Sequence, residues 1–185
     1  MAGGSNKLGR KPKLDLPEGF PLIRKGDRTV PFVIGDPVMG VHPLTEYYEA
    51  SRRADSYVIL RLMGSRIAAA LLMVVHPEHI ELAMLVRNQR YPEYKGAGGD
   101  LVRLIETVVA PQLGKTELRM EALDRKPLVR YYDDVLRYQE YAERYVDPEW
   151  GSLVPKRKFL KPVPRSGRYL ETSMQWRRFP VGPCA

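Results

Sequence analysis

The sequence predicts an α/β (α+β) chain, in which a mixed, mostly antiparallel sheet is flanked by helices. Three observations support this fold class. Three strand-like runs follow one another with short turns between them, as in an antiparallel meander. A glycine-rich turn at 95–100 then leads into a run of apolar residues at helical spacing. A further strand after that helix completes a strand–helix–strand unit, which implies one right-handed parallel crossover.

The chain begins with an arm and a short strand. Residues 1–19 contain small residues, lysines and prolines, and they predict a basic flexible arm. The remaining residues, 20–185, are expected to form a single domain, since a chain of 185 residues fits one core. Residues 29–34 predict a first strand, and 37–43 predict a loop.

A helix precedes the meander. Thr45 is placed to cap a helix over 44–54. Gly64 and Ser65 form a two-residue hairpin turn between the first two strands, and His76-Pro77-Glu78 forms the turn before the third. The three strands are predicted at 57–63, 67–75 and 79–87.

The chain after the glycine-rich turn alternates between helices and strands. Its first apolar run has helical spacing and stops at Pro111. Residues 148–165 are rich in proline and positive charge and predict a loop, so that the domain carries a basic proline-rich loop at 148–167. The other predicted elements are a helix at 101–110, a strand at 116–123, a helix at 126–137, an alternating segment at 138–146 and a strand at 168–179.

Charge and composition restrict the function classes. The net charge is +8, and basic residues concentrate near the N-terminus and in the C-terminal third. This pattern favours phosphate-bearing partners, with solubility as the plain alternative. The single cysteine, Cys184, excludes an intramolecular disulfide and a cysteine metal cluster, and three histidines without metal-ligand spacing predict no metal site. No apolar run approaches the roughly 18 residues of a membrane span and no secretory signal is visible, so we expect a cytoplasmic protein without membrane contact.

The glycine-rich turn is the most specific feature of the sequence. Gly96, Gly98 and Gly99 remove side chains that would block a ligand, and Lys95 adds a positive charge. The helix that follows directs unpaired N–H groups and a positive dipole end to the same place, which favours an anion such as a phosphate. A Walker A loop would need a Gly-Lys-Ser/Thr ending, and a dinucleotide-binding fingerprint would need a glycine at Leu101, so neither pattern fits. The plain alternative is a turn that binds nothing.

The GCN5-related N-acetyltransferases have an acetyl-CoA loop that resembles the segment Pro92-Glu93-Tyr94-Lys95-Gly96-Ala97-Gly98-Gly99-Asp100-Leu101. The family pattern is Arg/Gln-x-x-Gly-x-Gly/Ala, and the predicted order of elements is also similar to the family's fold. This pattern is often written out as Pro-x-Tyr-Arg-Gly-x-Gly-x-Gly/Ala, in which Lys95 would stand for the arginine, and Gly96 and Gly98 for the two loop glycines. Asp100 replaces the last small residue, so its carboxylate would lie beside a pyrophosphate or cap the helix. The chain therefore resembles a divergent member.

Two later segments are similar to the same family. Residues 128–138 resemble its Ala-x-x-Leu-Tyr-x-x-x-Gly-Phe segment, with Leu136 and Arg137 in place of the Gly-Phe pair. Tyr132 would fall on the family's tyrosine, which often protonates the departing CoA thiolate, and Tyr131 is the neighbouring candidate. Residues 169–174 resemble the family's closing strand.

The resemblance implies an acyl-CoA N-acyltransferase-like fold and an enzyme that moves an acetyl group from acetyl-CoA, its cosubstrate, to an amine by direct attack in a ternary complex. Glu81 is the implied base, with His79 beside it and His76 and His42 as outside candidates; the plain alternative for Glu81 is a solvated charge. The end of the third meander strand would offer backbone groups to the pantetheine and the thioester carbonyl, at Leu85, Val86 and Arg87. The pyrophosphate would lie on Lys95, Gly96, Ala97, Gly98, Gly99 and Asp100.

Two alternative functions stay open from the sequence. The basic arms and the loop at 148–167 could bind nucleic acid, in a protein that modifies a nucleobase, a tRNA or a ribosomal protein. The second alternative is an inactive fold of the same type that acts as a binding module. The residue types do not identify the amine acceptor, which is either a small molecule or a macromolecule, and a homodimer is equally open.

Overall fold

The computed structural model describes residues 11–33, 41–123, 129–145 and 156–163. The strands within these ranges are β1 (Pro31–Val33), β2 (Val41–Pro43), β3 (Ser56–Met63), β4 (Arg66–Val75), β5 (Ile80–Arg87), β6 (Glu117–Leu123), β7 (Gln139–Tyr145) and β8 (Lys156–Pro162). The helices are α1 (Thr45–Ser51), α2 (Ala97–Leu104) and α3 (Ala110–Gln112). A π turn at Ile105–Val109 joins α2 to α3, and a second π turn lies at Tyr131–Val135. Single 3₁₀ turns lie at Lys25–Thr29 and Pro92–Tyr94.

Six of these strands form one sheet in the order β3-β4-β5-β6-β8-β7, and β1 pairs with β2 in a separate antiparallel ladder. Within the large sheet, β5 and β6 are parallel, and the other neighbouring strands are antiparallel. The predicted fold class and the predicted meander are therefore confirmed. No helix in the described part of the chain is long and apolar enough to cross a membrane.

Strands β3 and β4 are buried on both faces because apolar residues occupy successive positions. We call the side of the sheet that packs against helix α2 the α2 face; it carries Ile59 and Leu71. The opposite side, the α1 face, packs Val58 and Leu60 against Tyr47 of helix α1. The two helices therefore mark opposite sides of the sheet.

The N-terminal segment is packed from Lys11 onward, which differs from the flexible arm predicted for 1–19. The Lys11 ammonium donates to the carbonyl of Ser51 at 2.8 Å, and the Tyr57 hydroxyl donates to the carbonyl of Pro12 at 2.8 Å. Phe20 is 4% exposed in the core of the α2 face. The segment covers β3, an outer strand of the sheet whose unpaired backbone would otherwise be open. Residues 1–10 lie outside the described part.

Strand β8 is the main error of the sequence interpretation, because its residues were predicted as part of a loop at 148–167. It lies between β6 and β7, and Phe159 is 1% exposed at its centre. Its basic side chains face carboxylates. Arg157 lies 2.9 Å from Glu140, Lys158 lies 3.8 Å from Glu121, and Lys161 lies 3.0 Å from Glu106. Charges that predicted a solvated loop are thus paired across neighbouring elements.

The remaining predictions concern single segments. Helix α1 has Leu44 as its N-cap residue and no side-chain cap, so the predicted cap by Thr45 is wrong. Residues 41–43 form β2 rather than the end of a loop, because they pair with β1. The helix predicted at 126–137 is described only from residue 129, where a helical turn leads into the second π turn. The strand predicted at 168–179 lies outside the described residues.

Replacing Phe20 with alanine tests whether the N-terminal segment contributes to the core. We expect the free energy of unfolding to fall by about 3–5 kcal/mol, because a buried aromatic ring is removed. Urea denaturation measures this change, and Lys13→Ala, at an exposed position of the same segment, is the control. An unchanged urea midpoint for Phe20→Ala would contradict the burial of Phe20 in the core of the α2 face.

Candidate functional site

Strands β5 and β6 separate partway along their length. Their parallel pairing covers Ile80, Glu81 and Leu82 of β5 and ends there, although β5 continues to Arg87 and β6 to Leu123. On its other side β5 stays paired with β4 up to Arg87. The backbone groups of the end of β5 that point toward β6 therefore face a gap between the two strands.

A β-bulge lies where this gap begins. The register between β4 and β5 shifts so that Met73 pairs with Leu82 and Leu72 pairs with Met84, which leaves Ala83 without a partner on β4. A bulge resets the alternation of side chains along a strand. As a result, Leu82 and Leu85 both belong to the α2 face, whereas Met84 packs on the α1 face.

Helix α2 begins beside this gap without a side-chain cap. Gly96 is its N-cap residue, with a left-handed φ of 96°, and no side chain bonds to the first turn. The first N–H group to bond within the helix is that of Asp100, which donates to the Gly96 carbonyl at 3.0 Å. The three preceding N–H groups, of Ala97, Gly98 and Gly99, have no partner within the helix. This end of the helix therefore offers donors and a partial positive charge to an anion.

The carboxylate of Asp100 is held away from the cap position. Arg61 on β3 donates from Nε to Asp100 Oδ2 at 3.2 Å, and from Nη1 to the Leu62 carbonyl at 2.8 Å. Both side chains are only 25% exposed. Asp100 therefore neither caps the helix nor stands as an uncompensated negative charge at the loop. Sequence reasoning missed this partner, since nothing in the spacing of Arg61 and Asp100 indicates that they meet.

The start of α2 lies against the end of β5. A Cβ atom placed on Gly98 would lie 3.6 to 3.7 Å from the side-chain carbons of Leu85. The glycine loop and the unpaired end of β5, which sequence reasoning assigned to one ligand, are thus adjacent in the structure. Val86 packs on the opposite face of the sheet, against the core of the α1 face.

The two candidate tyrosines point to different surroundings. The Tyr131 hydroxyl lies 2.6 Å from the place where a Cβ on Gly99 would stand, so it reaches the first turn of α2. The ring of Tyr132 packs against Phe159, with 5.7 Å between ring centroids. Burial raises the pKa of Tyr131, against the opposing charge of Arg103, and burial raises the pKa of Tyr132 to about 12. Both hydroxyls therefore keep their protons at neutral pH.

Glu81 lies at the base of the gap, on the α1 face. Its neighbours along the strand, Ile80 and Leu82, point into the core of the α2 face, and side chains alternate along a strand. Its carboxylate lies 2.9 Å from Nε2 of His76. His79, the residue just before β5, stacks on His76 with 4.5 Å between ring centroids. Glu81 and Tyr131 therefore approach the gap from opposite faces of the sheet.

The described residues contain no group of three or more His, Cys, Asp or Glu side chains that could hold a metal ion. The site therefore consists of backbone donors, one carboxylate, one hydroxyl and the open edge of β5.

Comparison with known proteins identifies the fold. No protein-family model matches the chain, and no curated protein does. Among solved structures, the ribosomal-protein-S18-alanine N-acetyltransferase from Escherichia coli has a TM-score of 0.58 and 13% identity, over 80% of this chain and 95% of that chain. Nourseothricin acetyltransferase has a TM-score of 0.56 and 12% identity, over 78% and 98% of the two chains. A GNAT family acetyltransferase from Elizabethkingia anophelis, with acetyl-CoA bound, has a TM-score of 0.50 and 12% identity, over 79% and 99%.

Alanine at Gly99 tests the position of the Tyr131 hydroxyl. We expect Gly99→Ala to lower the free energy of unfolding by about 1–3 kcal/mol, because the new methyl group would overlap the hydroxyl. In a Tyr131→Phe background the same change should be neutral or slightly stabilising, since alanine favours a helix over glycine. Thermal denaturation of the four proteins measures the coupling, with Gly98→Ala, whose methyl group finds ordinary contacts, as the control. Equal losses in both backgrounds would contradict this placement of Tyr131.

Proposed function

Because the chain has the fold of the GCN5-related N-acetyltransferases, we propose that it is an enzyme that transfers an acetyl group from acetyl-CoA to an amine by direct attack in a ternary complex. One observation carries the proposal. The gap between β5 and β6 lies beside the uncapped start of α2. A gap in a sheet suits an extended pantetheine arm, and the start of a helix suits its pyrophosphate.

The proposed pyrophosphate site consists of backbone donors on α2. The N–H groups of Ala97, Gly98 and Gly99 would donate to phosphate oxygens, and the exposed Lys95 side chain would add a positive charge. The Arg61–Asp100 pair supports this role, since it compensates the one carboxylate in the first turn. The acetyl-CoA complex of the Elizabethkingia anophelis protein supports the same cosubstrate.

The proposed acetyl site lies along the unpaired end of β5. Backbone groups of Leu85, Val86 and Arg87 that face the gap would bond the pantetheine amides and polarise the thioester carbonyl. Donors fixed in a sheet need no rearrangement during the reaction, which is the source of electrostatic catalysis. The bulge at Ala83 sets which of these groups face the gap.

Tyr131 is the better candidate for the acid. Its hydroxyl reaches the first turn of α2, which borders the gap, whereas the ring of Tyr132 packs into the core against Phe159. When the carbon–sulfur bond breaks, Tyr131 would give its proton to the thiolate. Glu81, on the other face, would accept the proton that the attacking amine loses. Acid and base would thus act from opposite sides of the gap.

The acceptor is proposed only as an amine. The Escherichia coli relative acts on the alanine of ribosomal protein S18, and another relative acts on nourseothricin, so both a peptide with N-terminal alanine and nourseothricin belong in an acceptor panel. Binding to nucleic acid stays a prediction. Three of the basic residues invoked for it lie on β8 and form ion pairs with carboxylates of neighbouring elements. Turnover on the panel separates an enzyme from an inactive binding module.

Calorimetry with acetyl-CoA tests the proposed binding site. We expect the native protein to bind, and Gly98→Glu to bind about tenfold more weakly or worse, because its side chain would enter the space between α2 and Leu85 and bring a negative charge to the phosphates. Gly26→Glu is the matched control, since a Cβ there meets nothing within 4 Å. No binding by the native protein, or equal binding by the two variants, would contradict the proposal.

Steady-state kinetics distinguish the two tyrosines. We expect Tyr131→Phe to lower kcat by about 100-fold or more while acetyl-CoA affinity stays near native, as for loss of a general acid. Tyr132→Phe should keep most of the native kcat. Because burial raises the pKa of Tyr131, the native kcat should hold at alkaline pH and decline only above the pH at which an exposed tyrosine loses its proton. The reverse ranking of the two variants would assign the acid to Tyr132.

A further inference from the structure

The contact between His76 and Glu81 has a defined direction. Nε2 of His76 lies 2.9 Å from Oε2 of Glu81. Since an ionised carboxylate only accepts hydrogen bonds, a hydrogen bond at this contact requires the histidine tautomer with its proton on Nε2. The side chains are 39% and 37% exposed, and such exposed pairs add little to stability. The pair therefore does not serve as a major support of the fold.

The backbone and a neighbouring ring fix the position of His76. Its backbone N–H donates to the backbone carbonyl of His79 at 2.9 Å, which closes the turn before β5. The two imidazole rings stack at 4.5 Å with 17° between their planes. The imidazole of His76 is thus oriented before any ligand arrives, with Nε2 pointing at Glu81.

Several charged groups surround this pair. Arg119 stands opposite Glu81 in the parallel register but donates to Glu117 on its own strand, and its guanidinium carbon lies 5.7 Å from the Tyr141 ring. Asp55 precedes β3, and the hydrogen bond from Ser56 is the main cause that lowers its pKa, with smaller contributions from the charges of Arg53 and His76. Burial, followed by the charge of Arg119, lowers the pKa of His79. His76 is therefore the donor that engages Glu81, while Arg119 is occupied elsewhere.

We propose that His76 is a positioning residue for the deprotonation of the acceptor amine, an inference that rests on the proposed function. Its Nε2–H holds one oxygen of Glu81 and leaves the other oxygen to accept the amine proton at the base of the β5–β6 gap. The amine nitrogen loses one proton to Glu81 as its lone pair attacks, and the half-exposed carboxyl then releases that proton to solvent.

Two variants of His76 and one control test the proposal. His76→Phe keeps a ring that can stack on His79 but loses the donor, and we expect kcat to fall about tenfold with acetyl-CoA affinity unchanged. His76→Gln, whose side-chain amide keeps an N–H donor, should recover most of that loss. Glu78→Gln, an exposed carboxyl in the same turn, should keep the native rate. Thermal midpoints of all three should stay within about 3 °C of native, which separates positioning from folding.

A second measurement reports on the hydrogen bond without turnover. Long-range ¹H–¹⁵N spectra of the acetyl-CoA-free protein should show the His76 ring with its proton on Nε2, and Glu81→Gln should shift that nitrogen while leaving the His79 ring unchanged. Native kcat in His76→Phe, or a His76 ring protonated on Nδ1, would overturn the positioning role alone. Absence of acetyl-CoA binding and turnover in the native protein would overturn the proposed function and this role together.

Discussion

The short parallel pairing between β5 and β6 is the constraint on which the candidate site depends. Pairing stops at Leu82, yet β5 remains bound to β4 as far as Arg87. The free edge of β5 is therefore held by a rigid neighbour rather than by a loop. The bulge at Ala83 stands at the point of separation and turns the following side chains. Opening a sheet in this way leaves backbone donors and acceptors in need of partners, and an extended ligand with amide groups could supply them.

Charge compensation makes the adjoining helix end suitable for an anion. A carboxylate in the first turn would ordinarily compete with a phosphate for the same N–H groups. Arg61 removes that competition by drawing Asp100 toward β3, so the departure from the family's loop pattern has a local remedy. The same charge compensation is found at β8, where basic side chains face carboxylates on β6, on β7 and on the π turn that follows α2. Pairing within the molecule therefore reduces the positive charge that the sequence alone attributes to an exposed loop.

Much of the fold could be predicted because its signals are local. Alternating and continuous apolar runs predict the meander, and Gly96 with the apolar run after it predicts a turn and helix. The errors involve contacts between distant segments. Leu14 stands alone among lysines and prolines, so its burial depends on β3 being an edge strand. Strand β8 carries a single fully buried aromatic, Phe159, among charges whose partners lie on other elements.

The candidate site was predictable only in part, for the same reason. Pattern and resemblance named the loop, the end of β5, the tyrosine pair and Glu81 as candidates, and their roles stay predictions. The choice between Tyr131 and Tyr132 depends on the π turn that carries them, and a π turn has no recognised sequence signal. The partners of Asp100 and Glu81 depend on strand register and on the turn at His76. Such pairings follow from tertiary packing and cannot be derived from spacing along the chain.

The central claim is that one extended ligand occupies both the start of α2 and the gap between β5 and β6. A crystal structure of the protein with CoA tests it most directly. The account predicts pyrophosphate oxygens within hydrogen-bond distance of the N–H groups of Ala97, Gly98 and Gly99, and a pantetheine arm between the two strands beside Leu85. CoA bound elsewhere, for example on the basic side chains of β8, with the gap unfilled, would contradict it.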